Sequence, residues 1–207
     1  MRSSPRTAKF AKALAVVIGV ILVPAALGAT KYKVLHNFGS GNDGSFPAGS
    51  VVQDKKGNLY GATGGGDVGC KGDGSGGTIF ELAKQANGTW RESVLYCFGG
   101  QWTDGLPDSG LIIDNEGDLF GTSAGGPDDL SNVFELTLGA GGWSFSVLYS
   151  LGGGDLVSDG LGDIYGYLGP GQYKAGAVAE LSPGSNGWDY TQLYSFGGDG
   201  GRGRLWT

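Results

Sequence analysis

The chain has 207 residues, of which 44 are Gly and 7 are Pro. Gly and Pro therefore make up about a quarter of it, yet there is neither the every-third-position Gly of collagen nor the heptads of a coiled coil. With 9 Phe, 9 Tyr and 5 Trp it carries too many aromatics for a disordered chain, so the glycines punctuate something folded. The formal net charge of −6 argues against nucleic acid as a partner, because phosphate binding needs clustered Lys and Arg.

Arg2, Arg6, Lys9 and Lys12 precede an apolar run from Ala13 to Val23, followed by Pro24 and small residues through Ala29. This is the order of a secretory signal, with cleavage expected near Gly28 or Ala29. The run falls short of the roughly 20 residues of a comfortable membrane span, so an uncleaved signal is the one expected route to a membrane. No Cys lies there for lipid attachment and no Arg pair for twin-arginine export. Removing four of the 14 basic residues while the 20 acids stay leaves a net charge of about −10, which keeps a Gly-rich exported chain soluble. The expected location is extracellular or in the cell envelope.

The rest of the chain repeats. The pattern Asp-x-x-Gly-(Asn/Asp)-(Leu/Ile)-(Tyr/Phe)-Gly runs from Asp54 to Gly61, Asp114 to Gly121 and Asp159 to Gly166, with Gly57, Gly117 and Gly162 at its fourth position. Phe80-Glu81-Leu82 lies 26 residues after Asp54, whereas Phe134-Glu135-Leu136 and Ala179-Glu180-Leu181 each lie 20 after their Asp. Trp90, Trp143 and Trp188 stand five residues before the Leu of Val94-Leu95-Tyr96, Val147-Leu148-Tyr149 and Gln192-Leu193-Tyr194, and an upstream Val34-Leu35-His36 opens the series. From that Leu to the next Asp is 19 residues for Leu35 and Leu95 but 11 for Leu148, so the third unit is shortened.

Each unit reads as four short strands, rich in β-branched and aromatic residues and bounded by Gly, Asp or Asn. In the second unit these are Gly110 to Asp114, Asp118 to Ser123, Asn132 to Thr137 and Trp143 to Leu151. Asn115-Glu116-Gly117 has the composition of a hairpin turn, and helix signals are absent after residue 29. Four-stranded repeats of this length are the signature of propeller blades. The expected fold is all-β: a β-propeller-like array of about three four-stranded units plus a partial fourth, not closed within this chain. The divisions are a signal peptide at 1–29, units at 30–98, 99–151 and 152–196, and a broken start of a fourth unit or tail at 197–207. Phe196-Gly197-Gly198 begins another unit on pattern, and Arg202 to Thr207 abandon it. A truncated or frameshifted relative of a longer protein, an open stack, or closure by self-association at open blade ends would each account for that ending.

Val-Leu-Tyr-x-Phe-Gly-Gly at 94–100, Asp104-Gly105-Leu106-Pro107, Gly110-Leu111-Ile112-x-Asp114, Gly117-Asp118-Leu119-Phe120-Gly121-Thr122 and Val133-Phe134-Glu135-Leu136 resemble the GloVer extracellular tandem repeat of bacterial exported proteins. In the first unit Asp43-Gly44 and Pro47 answer Asp104-Gly105 and Pro107; the third unit lacks that segment. The resemblance covers about Val34 to Gly198. It implies a secreted or surface-displayed repeat protein, often held by a C-terminal sorting anchor, and brings no catalytic residues with it.

Candidate chemistry is sparse, and no catalytic residue is expected. His36 is the only His and fills the slot of Tyr96, Tyr149 and Tyr194, so it reads as an aromatic substitute. Asp54, Asp114 and Asp159, like Glu81, Glu135 and Glu180, recur in fixed slots, and recurring carboxylates read as turn and strand-edge residues. Trp102 lies outside the repeat and, with Asp104, Asp128 and Asp129, is the candidate ligand-contacting set. Cofactors are expected to be none; the alternative is Ca²⁺ held by Asp67 with Asp73, or by Asp128 with Asp129 and Asn132. Trp90, Trp143 and Trp188 read as packing within or between units. Cys70 and Cys97, both in the first unit, suit a disulfide in an exported chain, contributing roughly 3 kcal/mol, with free buried thiols the alternative. The leading expectation is thus a non-enzymatic surface repeat protein that presents Gly-rich loops to a polysaccharide or protein partner. A carbohydrate-active enzyme using loop carboxylates, or a non-functional fragment, are the alternatives.

Overall fold

The computed structural model describes residues 31–65, 76–99, 104–125, 131–150 and 152–197. The chain divides into two units, Met1–Lys33 and Val34–Thr207, and every described strand lies in the second. Strands β1 (Ser45–Gln53), β2 (Leu59–Gly65), β3 (Thr78–Lys84) and β4 (Trp90–Cys97) form the first sheet in that order. The second joins β5 (Leu106–Pro107), β6 (Ile112–Ile113), β7 (Leu119–Ala124), β8 (Asn132–Gly139) and β9 (Gly142–Ser150); the third runs β10 (Gly152–Ser158), β11 (Ile164–Leu168), β12 (Ala177–Gly184) and β13 (Gly187–Ser195). All pairings are antiparallel between sequence neighbours, apart from β5, which pairs β7 beside β6. The chain is all-β, and no helix long and apolar enough to cross a membrane is present among the described residues.

Two details differ from the sequence reading. The strand expected at Gly110 to Asp114 is shortened to Ile112–Ile113 and preceded by a separate short strand at Leu106–Pro107, because Asp108-Ser109-Gly110 leaves the ladder and Ser109 is buried, with its hydroxyl accepting from Thr122 N at 3.3 Å. The first and third sheets accommodate the same place by a register shift, between Ala48 and Val52 and between Gly152 and Leu156. Val34-Leu35-His36 forms no strand, since its counterparts in β4, β9 and β13 each pair with the strand just before them and no described strand precedes it. Leu193 to Ser195 complete β13.

The repeat is visible in the backbone itself. A register shift falls between Ile79 and Phe80, between Val133 and Phe134, and between Val178 and Ala179, the same bulge three times over. Bulges add twist at fixed points of a strand, so each unit departs from regularity in the same way.

Alternation along the strands gives the inner strands of the middle sheet two packed faces. Leu119, Phe134 and Leu136 turn to the first sheet and pack with Tyr60, Ala62, Ile79 and Phe98. Phe120 and Val133 turn the other way and pack with Leu156, Ile164, Leu168 and Leu181 of the third sheet. The repeat glycines make this packing possible: a Cβ at Gly61 or Gly121 would lie 2.6 Å from Cζ of Phe80 or Phe134, the residue directly across the ladder. At Gly166 the opposite residue is Ala179, and Leu156 fills the space instead, 2.9 Å from such a Cβ.

Candidate functional site

The three repeated Asp residues shape the turns that border the sheet seams. Asp54 Oδ1 accepts from the amides of Lys56 and Asn58, both at 2.8 Å. Asp114 Oδ1 accepts from Glu116, Gly117 and Asp118 at 2.8–3.0 Å, and Asp159 Oδ1 from Leu161 and Asp163. Gly117, with φ of 98°, supplies the left-handed residue such a turn needs. The tips are tied in series: Lys55 Nζ donates to Asn115 O, and Asn115 Nδ2 to Gly160 O, each at 3.1 Å.

Beside the turns lie two related grooves, one at each seam. The first encloses about 400 Å³, with Asp54, Lys55, Lys56, Tyr60 and Trp143 among its walls; the second encloses about 310 Å³, with Asp114, Glu116, Phe120, Glu135 and Trp188. In each, an aromatic from the earlier sheet meets edge-on the Trp of the later one: Tyr60 on Trp143 at 6.3 Å, Phe120 on Trp188 at 5.8 Å. The Trp slots thus pack between neighbouring sheets, and Trp90 is half-buried opposite Lys84.

The grooves differ in chemistry. In the first, the Tyr60 hydroxyl donates to Asp54 Oδ2 at 3.2 Å or to Glu81 Oε1 at 3.1 Å, and Asn58 Nδ2 donates to Asp54 Oδ2 at 3.1 Å. Burial alone would raise the Asp54 pKa, but the amides of Asn58 and Lys56 and the Tyr60 hydroxyl together hold it below its ordinary value. In the second groove both side-chain donors are gone, because Phe120 and Asp118 stand where Tyr60 and Asn58 do. Burial, then the charges of Asp118 and Asp114, push the Glu135 pKa up; burial and Asp114 do the same to Asp118.

Restoring the donor should therefore matter. Phe120→Tyr is expected to raise stability at pH 7 by about 1.5–3 kcal/mol, the net worth of a hydrogen bond to a charged acceptor, measured by urea unfolding. A carboxyl whose pKa is raised in the fold costs stability once ionised, so the wild type regains ground as pH falls and Glu135 takes up its proton. The gain from Tyr should shrink at about pH 4; an equal gain at both values would mean packing alone.

A second repeated device fastens the segment ahead of each inner strand. Asp43 is buried and accepts from His36 Nε2 at 2.9 Å, Ser40 N at 2.9 Å and Gly39 N at 3.1 Å. Asp104 is also buried and accepts from Gly99 N at 2.6 Å and from the Tyr96 hydroxyl. Expected as a ligand contact, Asp104 thus has its carboxylate engaged with its own chain. Burial opposes ionisation of Asp43, and His36, Ser40 and Gly39 outweigh it, so its pKa is lowered. His36 meets Phe38 edge-on as Tyr96 meets Phe98, which places it in the aromatic slot. In the later units Phe145 stacks on Tyr96 and Tyr190 on Tyr149, at 4.4 and 4.7 Å. Glu92 stands in the slot of Phe145 and Tyr190; its buried Oε1 has no hydrogen-bond partner among the described residues, and burial raises its pKa.

Trp102, Asp128, Asp129, Asp67, Asp73 and Cys70 lie outside the described residues. Cys97 is disulfide-bonded. Among the described residues no group of His, Cys, Asp and Glu is arranged to hold a metal ion. The pairing of Phe120 and Asp118 against Tyr60 and Asn58 was the signal for the second groove, written in the alternatives of the eight-residue pattern, and it is visible only when those alternatives are compared copy against copy. No protein-family model, curated protein or solved structure matches the chain.

Proposed function

We propose that this chain is a non-catalytic, exported repeat module of the GloVer type, with its sheets arranged as in a propeller, that binds a polysaccharide or protein partner at the cell surface. The observation that carries the reading is the pair of aromatic-walled grooves at equivalent seams, because small concave sites with a few convergent polar groups are where ligands bind. Recurrence favours binding over catalysis: a reaction needs one asymmetric constellation, whereas the seams repeat one plan. Export rests on the basic, apolar and small-residue order of residues 2–29.

The test uses the full chain against a panel of envelope polysaccharides and extracellular polypeptides, following both equilibrium binding and release of reducing sugar ends. Saturable binding that weakens when Trp188 is changed to Ala, without turnover, is the expected result. Turnover abolished by Glu135→Gln would replace the reading with a glycan-cleaving enzyme.

A further inference from the structure

The two grooves share one plan, and Asp114 and Glu116 border both, but only the first carries cations of its own. The seam of the first and second sheets carries its own cations, Lys55 and Lys56, and a hydroxyl that bridges its carboxylates. At the seam of the second and third sheets, Asn115 and Glu116 stand in place of those lysines and Phe120 in place of that tyrosine. Ile112, Phe120, Ile164, Pro183 and Trp188 make apolar walls, with Asp114, Glu116 and Glu135 among them, and among the described residues no basic one lines the groove. The polar donors that the sister groove builds in are here left to come from outside.

We propose that this second groove takes the side chain of a lysine presented by a partner polypeptide; the inference rests on the binding-module reading above. A space of about 310 Å³ is at the lower end for a small-molecule site and suits one side chain. Lysine matches it in two parts. Its four-carbon stem lies along apolar surface while the ammonium stays at the polar end, which here means Ile164 and Pro183 beneath the stem. An ammonium is a compact charge with three rotatable donors, able to meet carboxylates that come from separate strands and turns; the planar fork of arginine is matched instead to one carboxylate at a time. Trp188, held edge-on to Phe120 at 5.8 Å, adds a ring whose face attracts a cation.

The experiment titrates the full chain with tetralysine, with tetra-arginine, with the tetralysine peptide acetylated on every side chain, and with neutral oligosaccharides. It is read by calorimetry at about 50 mM salt. Tetralysine is expected to bind saturably and more tightly than tetra-arginine, with acetylation abolishing the heat. Glu135→Gln should weaken tetralysine about tenfold, and Glu116→Gln, at an exposed turn position, should weaken it in the same direction, so a folding fault in one variant does not decide the matter. Glu81→Gln, at the equivalent strand position of the first unit and outside this groove, should change it less than twofold. Equal losses at Glu81 and Glu135 would overturn the proposal in favour of diffuse attraction to an acidic protein. Oligosaccharide binding lost in Trp188→Ala, with no lysine binding, would overturn it while leaving the binding-module reading intact; absence of binding to every ligand in both panels would sink both.

Discussion

Replacing Phe134 by Ala will cost the fold about 3–5 kcal/mol, the usual loss for a fully buried aromatic truncated in a core. Phe134 has no exposed surface. Its ring meets Phe98 and Phe145, each at 5.4 Å, and lies over Gly121 across the ladder. The residue opposite has no side chain, and Leu111, packed beside Gly121, is the neighbour that would have to move into the space. Urea unfolding should show a lower midpoint with an unchanged slope; a loss under about 1 kcal/mol would mean that the two sheets close over the gap. The third unit supplies an internal control, for Ala179 already occupies this slot and Leu156 reaches over Gly166 instead. Ala179→Phe there should destabilise rather than stabilise, by overpacking.

Truncating the turn aspartates should give a graded series, Asp54→Ala the most damaging at about 2–3 kcal/mol, Asp114→Ala next and Asp159→Ala under about 1. The order follows what each carboxylate holds. Asp54 takes two amides, the Asn58 amide group and the Tyr60 hydroxyl; Asp114 takes three amides; exposed Asp159 takes two. Removing Asp54 also leaves the half-buried turn amides to water and the Tyr60 hydroxyl with Glu81 alone. The pH profile separates charge from shape. A carboxyl whose pKa is depressed in the fold stabilises it above the unfolded value, and that contribution is lost as pH falls through the folded value. The gap between wild type and Asp54→Ala should thus narrow in acid below about pH 4. Equal losses at all three aspartates would refute the series.

Much of the architecture was legible from the sequence because it is punctuated by residues with one physical job. Asp at the head of a turn, Gly at its fourth position and Gly opposite Phe each admit few substitutes, so their spacing marked the units. The three-sheet, all-β plan followed. What the spacing did not carry was anything decided between units. The split of the inner strand at Asp108-Ser109-Gly110 depends on Ser109 meeting Thr122 across the sheet. The engagement of Asp104 by Tyr96 and Gly99 likewise depends on how the linking segment folds back. The second groove was hidden for the opposite reason: Glu135 looked structural because it recurs, although its surroundings do not.

Each groove is assembled from two neighbours, the earlier unit giving the first aromatic and the later one the tryptophan, with acids from both at the first seam. The character of a groove is therefore a property of the junction and not of the unit. In repeat arrays, where each member contacts only those beside it, rearranging the order of units would create new pockets without changing a single side chain. Duplication would add a pocket with every added member. Such a molecule diversifies by shuffling, and the set of grooves it presents is written in the order of its parts.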